Sequence, residues 1–168
     1  MSMQFANVWE RVADTVGDEI ALINGDKKSS WSSFDSKAAK IATILEEHGL
    51  KSDSKVGIYL HNSNEYLEAQ YGVFKIEGVP INVNYRYKEN ELIYLLDNAD
   101  AEAVFFQGCY ADRIKAIKDQ LPKIKVYIQV NDGTDPIMKG SIDFENSISS
   151  SKEQKRFNRT EENIYMLY

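Results

Sequence analysis

Arg86 stands in the run Asn84-Tyr85-Arg86-Tyr87, directly after the short apolar stretch 79–83. A guanidinium at the end of a buried strand can grip a phosphate through paired hydrogen bonds. The competing account is a surface arginine whose stem covers Tyr85 or Tyr87, or which pairs with Glu89 or Glu91. Two histidines also carry possible chemistry. His48 closes a helical pattern, where an imidazole is favoured by the helix dipole; His61 follows an apolar strand, a better address for a site, although a loop histidine that bonds nearby backbone needs no function. The 9 glycines are scattered singly along the chain, so no Gly-rich phosphate loop or dinucleotide fingerprint exists. No serine sits in a nucleophile-elbow spacing of glycines. Asp97, Asp100 and Glu102 fall at a helix end, where solvation accounts for them. From residue types and spacing alone, no catalytic constellation emerges.

The elements that would position Arg86 follow from periodicity. Residues 79–83 are too apolar and too short for anything but a strand, and Leu92, Leu95, Leu96 and Ala99 then recur at helical spacing. The same grammar extends in both directions. Val8, Trp9 and Val12 predict a short helix capped by Asn7, and residues 19–24 predict a strand that turns at Gly25-Asp26 and pairs back over 28–31. Ser30 is the expected cap of a helix carrying Phe34, Ala38, Ile41 and Leu45, which Gly49 ends. Residues 55–60 alternate as a strand around Gly57, and Ser63 caps a helix burying Tyr66, Leu67, Tyr71 and Phe74 until Gly78 stops it. A strand at 104–106, a helix over 110–121 ended by Pro122, and a strand over 125–130 complete the series. Strands alternating with helices predict an α/β fold, a mostly parallel sheet with helices on both faces. Ligands in such sheets bind beyond the carboxyl ends of the strands, where Asn84, Arg86 and His61 fall.

Residues 1–130 are therefore expected to form a sheet subdomain. Residues 131–160 lose their periodicity and are expected to be a mobile surface linker, its Lys152, Lys155, Arg156 and Arg159 solvated. Residues 161–168 restart a strand that finishes on an apolar aromatic run, from which we expect a polypeptide that continues further. At 168 residues, 43% hydrophobic and 27% charged, the composition is that of an ordinary globular domain. A net charge of −6 without a basic face makes nucleic acid an unsuitable partner. A lone cysteine, Cys109, excludes an internal disulfide and fits a reducing, cytoplasmic setting; no apolar run is long enough to span a membrane.

Several motifs taken together resemble a known family. Ile20-Ala-Leu-Ile, Ser30-Trp31 before a helix, Lys55-Val-Gly-Ile-Tyr-Leu-His-Asn-Ser, Asn84-Tyr-Arg-Tyr, Asn90-Glu-Leu-Ile-Tyr-Leu-Leu and Asn163-Ile-Tyr-Met-Leu-Tyr occur in the order seen in the opening third of the AMP-forming acyl-CoA synthetases, in the adenylate-forming superfamily. The resemblance implies the first sheet subdomain of that family's N-terminal region. It further implies a parent enzyme that joins a carboxylic (fatty) acid to coenzyme A with ATP and Mg²⁺, through an acyl-adenylate. The family's phosphate-gripping loop, adenine segments and adenylation lysine would all lie after Tyr168. No catalytic residue or metal ligand is therefore assigned, and the 168 residues alone are expected to be inactive and to bind no cofactor tightly. Arg86 matches a family arginine near the nucleotide end of coenzyme A, which implies a contact with a CoA phosphate. Val83 stands where a proline is usual, and Ser33 where a capping glutamate is common. The rival reading is a free-standing α/β binding or interaction module without catalysis; an adenylate-forming enzyme with a carrier-protein acceptor is a third. The apolar terminal strand also predicts self-association.

Overall fold

Alternating apolar residues along Val56–Leu60 and Val126–Val130 send side chains to both faces of a sheet, and the structure uses both. In this computed structural model, which describes residues 3–133, 136–159 and 166–167, the strands are β1 (Ile20–Asn24), β2 (Lys27–Ser30), β3 (Lys55–Tyr59), β4 (Val79–Asn82), β5 (Ala101–Gln107), β6 (Val126–Val130) and β7 (Ile142–Asp143). The helices are α1 (Phe5–Val16), α2 (Trp31–Glu47), α3 (Asn64–Lys75), α4 (Glu89–Asn98), α5 (Ala111–Ile117) and α6 (Phe144–Ser150). Strands β3 to β7 pair in parallel in the order β4-β3-β5-β6-β7. This is the expected α/β fold.

Each face of the sheet has its own core. On one, Val56, Ile58, Phe105 and Ile128 pack against Ile41 and Leu45 of α2, Val73 of α3 and Phe144 of α6. On the other, Tyr59, Val104, Phe106 and Tyr127 meet Leu92 and Leu96 of α4 and Ile114 and Ile117 of α5. Gly57 lets α4 come close, since a Cβ there would stand 2.8 Å from Leu96 Cδ2. A third cluster joins α1 to α2 and α3 through Ala6, Phe34, Ala38, Tyr71 and Phe74. The β1–β2 hairpin lies outside the parallel sheet and buries only Leu22 among its apolar residues, leaving Ile20 and Ile23 exposed.

Helix ends follow the sequence closely. Ser30 Oγ accepts from Ser33 N at 3.2 Å and Ser63 Oγ from Tyr66 N at 3.2 Å. Gly49, at φ 77°, ends α2 in a Schellman motif, with Leu50 N bonded to Leu45 O at 3.0 Å. Three expectations are corrected. α1 is capped by Gln4 instead of Asn7, which lies inside the helix: Gln4 Oε1 accepts from Ala6 N at 2.7 Å while its Nε2 donates to Phe74 O at 2.9 Å. At the end of α3 the left-handed residue is Glu77, φ 56°, with Gly78 N closing onto Val73 O at 2.9 Å. Leu67 is 37% exposed, because α3 is covered by the sheet on one side and by α1 and α2 on another, so Glu68, Gln70 and Lys75 are buried in place of a simple apolar stripe.

Within the expected linker of 131–160, residues 142–150 carry regular structure. β7 extends the sheet beside β6, and α6 anchors on buried Phe144 and Ile148. The charges expected to be solvated are partly consumed: Arg156 pairs with Asp14 at 2.8 Å and Asp35 at 2.7 Å, and Arg159, 2% exposed, reaches Glu10 at 3.0 Å. Residues 151–159 thus form a strap across the outer surface of α1 and α2, held also by Gln154 N to Ala39 O at 3.1 Å. Most of the strand expected over 161–168 lies outside the described residues. Its Leu167 pairs in parallel with Ile81 of β4, donating to Pro80 O and accepting from Asn82 N, each at 3.0 Å.

Candidate functional site at the carboxyl edge of the sheet

Because β3 is followed by β4 on one side and β5 lies on the other, the chain reverses its winding between β3 and β5. Crevices form beyond the carboxyl ends of strands at such a point. Loop residues after β3, β4 and β5 converge there.

Tyr59 ends β3 with its ring buried, and its hydroxyl emerges under the loop that follows β4. It donates to Tyr87 O at 2.7 Å, approaches Tyr85 O at 3.3 Å and accepts from Arg113 Nη1 at 2.8 Å. Arg113, from α5, also donates to Tyr87 O at 3.1 Å and lies over the Tyr110 ring. Burial raises the Tyr59 phenol above its ordinary pKa against the opposing pull of Arg113, so it remains a donor near neutrality.

His61 follows β3 and is held by side chains instead of the backbone. Its Nδ1 lies 2.8 Å from Gln107 Oε1 and its Nε2 lies 2.8 Å from Tyr110 Oη. Burial pushes the Tyr110 phenol up to about 12. The imidazole also packs on Tyr85, ring centres 4.9 Å apart.

Arg86 sits on the exposed crest of this cluster. Asn84 Oδ1 accepts from Arg86 N at 2.9 Å, and Asn84 O from Tyr87 N at 3.0 Å, which folds 84–87 into a tight turn. The guanidinium lies over Tyr85, 5.0 Å from the ring centre. Glu91, expected to compete for it, instead accepts from Lys88 N at 2.8 Å at the start of α4. Arg86 thus covers Tyr85, as the surface account expected, and remains exposed. Beside the turn, an open cleft of about 480 Å³ is lined by Asn82, Tyr87, Asn90, Glu91, Tyr94 and Leu95, with Tyr94 72% exposed.

The other residues singled out from the sequence lie elsewhere. His48 caps α2 through Nδ1, 2.8 Å from Ile44 O. Asp97 and Asp100 pair with Lys123, and Glu102 with Lys125, on the surface. Partial burial and Asp132 raise the Cys109 thiol above its ordinary pKa. Among the described residues no three His, Cys, Asp or Glu converge to hold a metal ion. No helix among them is long and apolar enough to cross a membrane. Sequence reading passed over Tyr59, Gln107, Tyr110 and Arg113; Tyr59 and Gln107 stand at the ends of predicted strands, a signal that was available, whereas Arg113 lies inside α5 and carries none.

Comparison with known proteins gives one consistent picture. Residues 9–168 match the family model described as "AMP-binding enzyme". Over its whole length the chain is 35% identical to a 3-oxocholest-4-en-26-oate–CoA ligase of Rhodococcus rhodochrous, spanning 31% of that protein. It is 34% identical to a medium/long-chain-fatty-acid–CoA/3-oxocholest-4-en-26-oate–CoA ligase of Mycolicibacterium smegmatis, again spanning 31% of it. Among solved structures, coronafacic acid ligase from Pectobacterium brasiliense superposes with a TM-score of 0.86 at 16% identity, over 98% of this chain and 33% of that one. The anthranilate CoA ligase AuaEII, in complex with anthranoyl-AMP, superposes with a TM-score of 0.84 at 18% identity, over 92% of this chain and 29% of that one. These structural likenesses establish the fold.

Proposed function

The chain belongs to the AMP-binding enzyme family, and from that premise we propose that it forms the N-terminal sheet of an ATP-dependent carboxylic acid–CoA ligase. The observation that carries this reading is full-length similarity to ligases whose names specify an acid joined to CoA, with the chain spanning 31% of their length. The proposed substrate is a fatty or similarly apolar carboxylic acid, activated as its adenylate and transferred to the CoA thiol, in a cytoplasmic setting. Residues 1–130, with Leu167 paired beside β4, are the parts assigned to the shared ligase scaffold.

Within that reaction the chain's own contribution is binding and orientation. Arg86, exposed and lying over Tyr85, is assigned to a phosphate at the nucleotide end of CoA. Mg²⁺ and the ATP phosphates are assigned to no residue here. The isolated chain is accordingly expected to form no thioester and, in calorimetry with Mg-ATP, to release no binding heat; micromolar affinity would contradict this. Self-association through the edge beyond Leu167 belongs to the same reading and is tested by sedimentation at several concentrations.

A chimera gives the decisive test. Replacing the matched 31% of the Rhodococcus ligase with this chain should yield a protein that releases pyrophosphate with fatty or steroid acids and then forms their CoA thioesters. A folded chimera that does neither would favour the non-catalytic binding module.

A further inference from the structure

The turn that carries Arg86 is exposed, yet its inward-facing carbonyls are gripped by groups from two other elements. Tyr85 O and Tyr87 O both face the Tyr59 hydroxyl, at 3.3 and 2.7 Å, and Tyr87 O takes a second bond from Arg113 at 3.1 Å. Arg113 reaches across the switch point from α5, so the loop after β4 is fastened to the β5 side of the sheet. Bonds from a charged donor to a carbonyl are among the stronger ones available to a loop. The Tyr85 ring is braced separately by His61, itself fixed between Gln107 and Tyr110. Backbone and ring are thus both located, and the exposed Arg86 guanidinium lies over that ring, 5.0 Å from its centre.

We infer that Tyr59 and Arg113, with His61 as a brace, are positioning residues that fix the turn presenting Arg86. Neither Tyr59 nor the bonded Nη1 of Arg113 is available for a ligand, because the partners above occupy them. Their action is to hold the Arg86 backbone and the Tyr85 platform in one arrangement, so that binding a phosphate costs less ordering of the loop. The consequence for the ligand rests on the reading of Arg86 as a CoA-phosphate contact; the clamp itself does not.

The test uses the 168-residue chain and two readouts: amide hydrogen exchange across 84–88, and titration with adenosine 3′,5′-bisphosphate, the nucleotide end of CoA. Tyr59→Phe, which keeps the ring, and Arg113→Ala are each expected to speed exchange in 84–88 by about ten-fold while leaving β3 and β5 protected. Arg113→Lys should restore part of the protection, and His61→Ala should give a smaller, local increase. Arg86→Ala should leave exchange unchanged and abolish the bisphosphate shifts, which the clamp variants should weaken by about three- to ten-fold. Unchanged exchange in both Tyr59→Phe and Arg113→Ala overturns the inference, as does equal acceleration throughout the sheet, which would mark a merely structural role. Faster loop exchange with bisphosphate binding absent, or indifferent to Arg86→Ala, upholds the clamp and removes Arg86 from the CoA site.

Discussion

The carboxyl edge of the sheet and the outer surface of its first helical layer handle charge in opposite ways. At the edge, Tyr59, His61, Gln107, Tyr110 and Arg113 are linked by hydrogen bonds and ring contacts with no carboxylate among them, and the exposed Arg86 lies over Tyr85. Under the strap, Lys75, only 1% exposed, lies 2.7 Å from Glu10 and 2.8 Å from Asp35; Asp35 also accepts from Tyr71, and Arg159 completes the cluster. Every charge there is matched by another. A cation already neutralised in the interior has nothing to offer a ligand, whereas one perched on an aromatic ring at a strand end does. Partners, more than residue type, separate scaffold from site.

Breaking the buried cluster should have the largest effect. Lys75→Met leaves Glu10 and Asp35 facing each other without their central cation, and is expected to cost about 3–5 kcal/mol in urea unfolding, as for other interior pairs that lose one member. A loss no larger than that of a surface substitution would mean the strap region is not held by ion pairing. Next comes the packing beneath it. Gly72 of α3 lies against Ile41 of α2, where an added Cβ would overlap the isoleucine side chain, so Gly72→Ala should destabilise by about 1–3 kcal/mol.

Acid should separate two carboxylates of the helical layer. Burial alone would raise the Asp35 pKa, but Lys75, Tyr71 and Arg156 together hold it below 3.8. With the folded value below the unfolded one, Asp35 adds stability above about 3.8 that is lost as pH falls through the folded value. Glu68 runs the other way. Burial, only partly offset by Lys37, lifts it above 4.5, and its Oε2 is buried without a hydrogen-bond partner. Stability held below 4.5 is then lost as pH rises through the folded value. Asp35→Asn should flatten the acid limb of a pH–stability curve, and Glu68→Gln the decline above it; identical curves for both variants would refute the assignment. Smallest of all is the edge: Arg86→Ala should shift the unfolding midpoint by no more than about 0.5 kcal/mol, as for an ordinary surface residue.

Much of the scaffold was legible because its signals are local. Caps at Ser30 and Ser63, the turn at Gly49 and the alternation in β3 and β6 each depend on neighbours a few residues away. α6 escaped notice because its only anchors are Phe144 and Ile148, two apolar residues in a serine-rich run. The strap escaped because nothing near Arg156 or Arg159 in sequence hints at Asp14 or Glu10. At the site, Arg86 and His61 were visible as polar residues after strands. Arg113 was not, since its partners come from two other elements and only the order of strands brings them together.

The ion pairs of the strap also bear on biosynthesis. Arg159 meets Glu10 across 149 positions of chain, and Arg156 meets Asp14 across 142. On a ribosome, α1 emerges with its acidic residues long before the arginines that will neutralise them have been made. The cluster can close only after almost the whole segment has been synthesised, and closing loops of that span slows folding. A nascent chain paused before Arg156 should therefore remain open to protease at α1, and become resistant once the strap has cleared the exit tunnel.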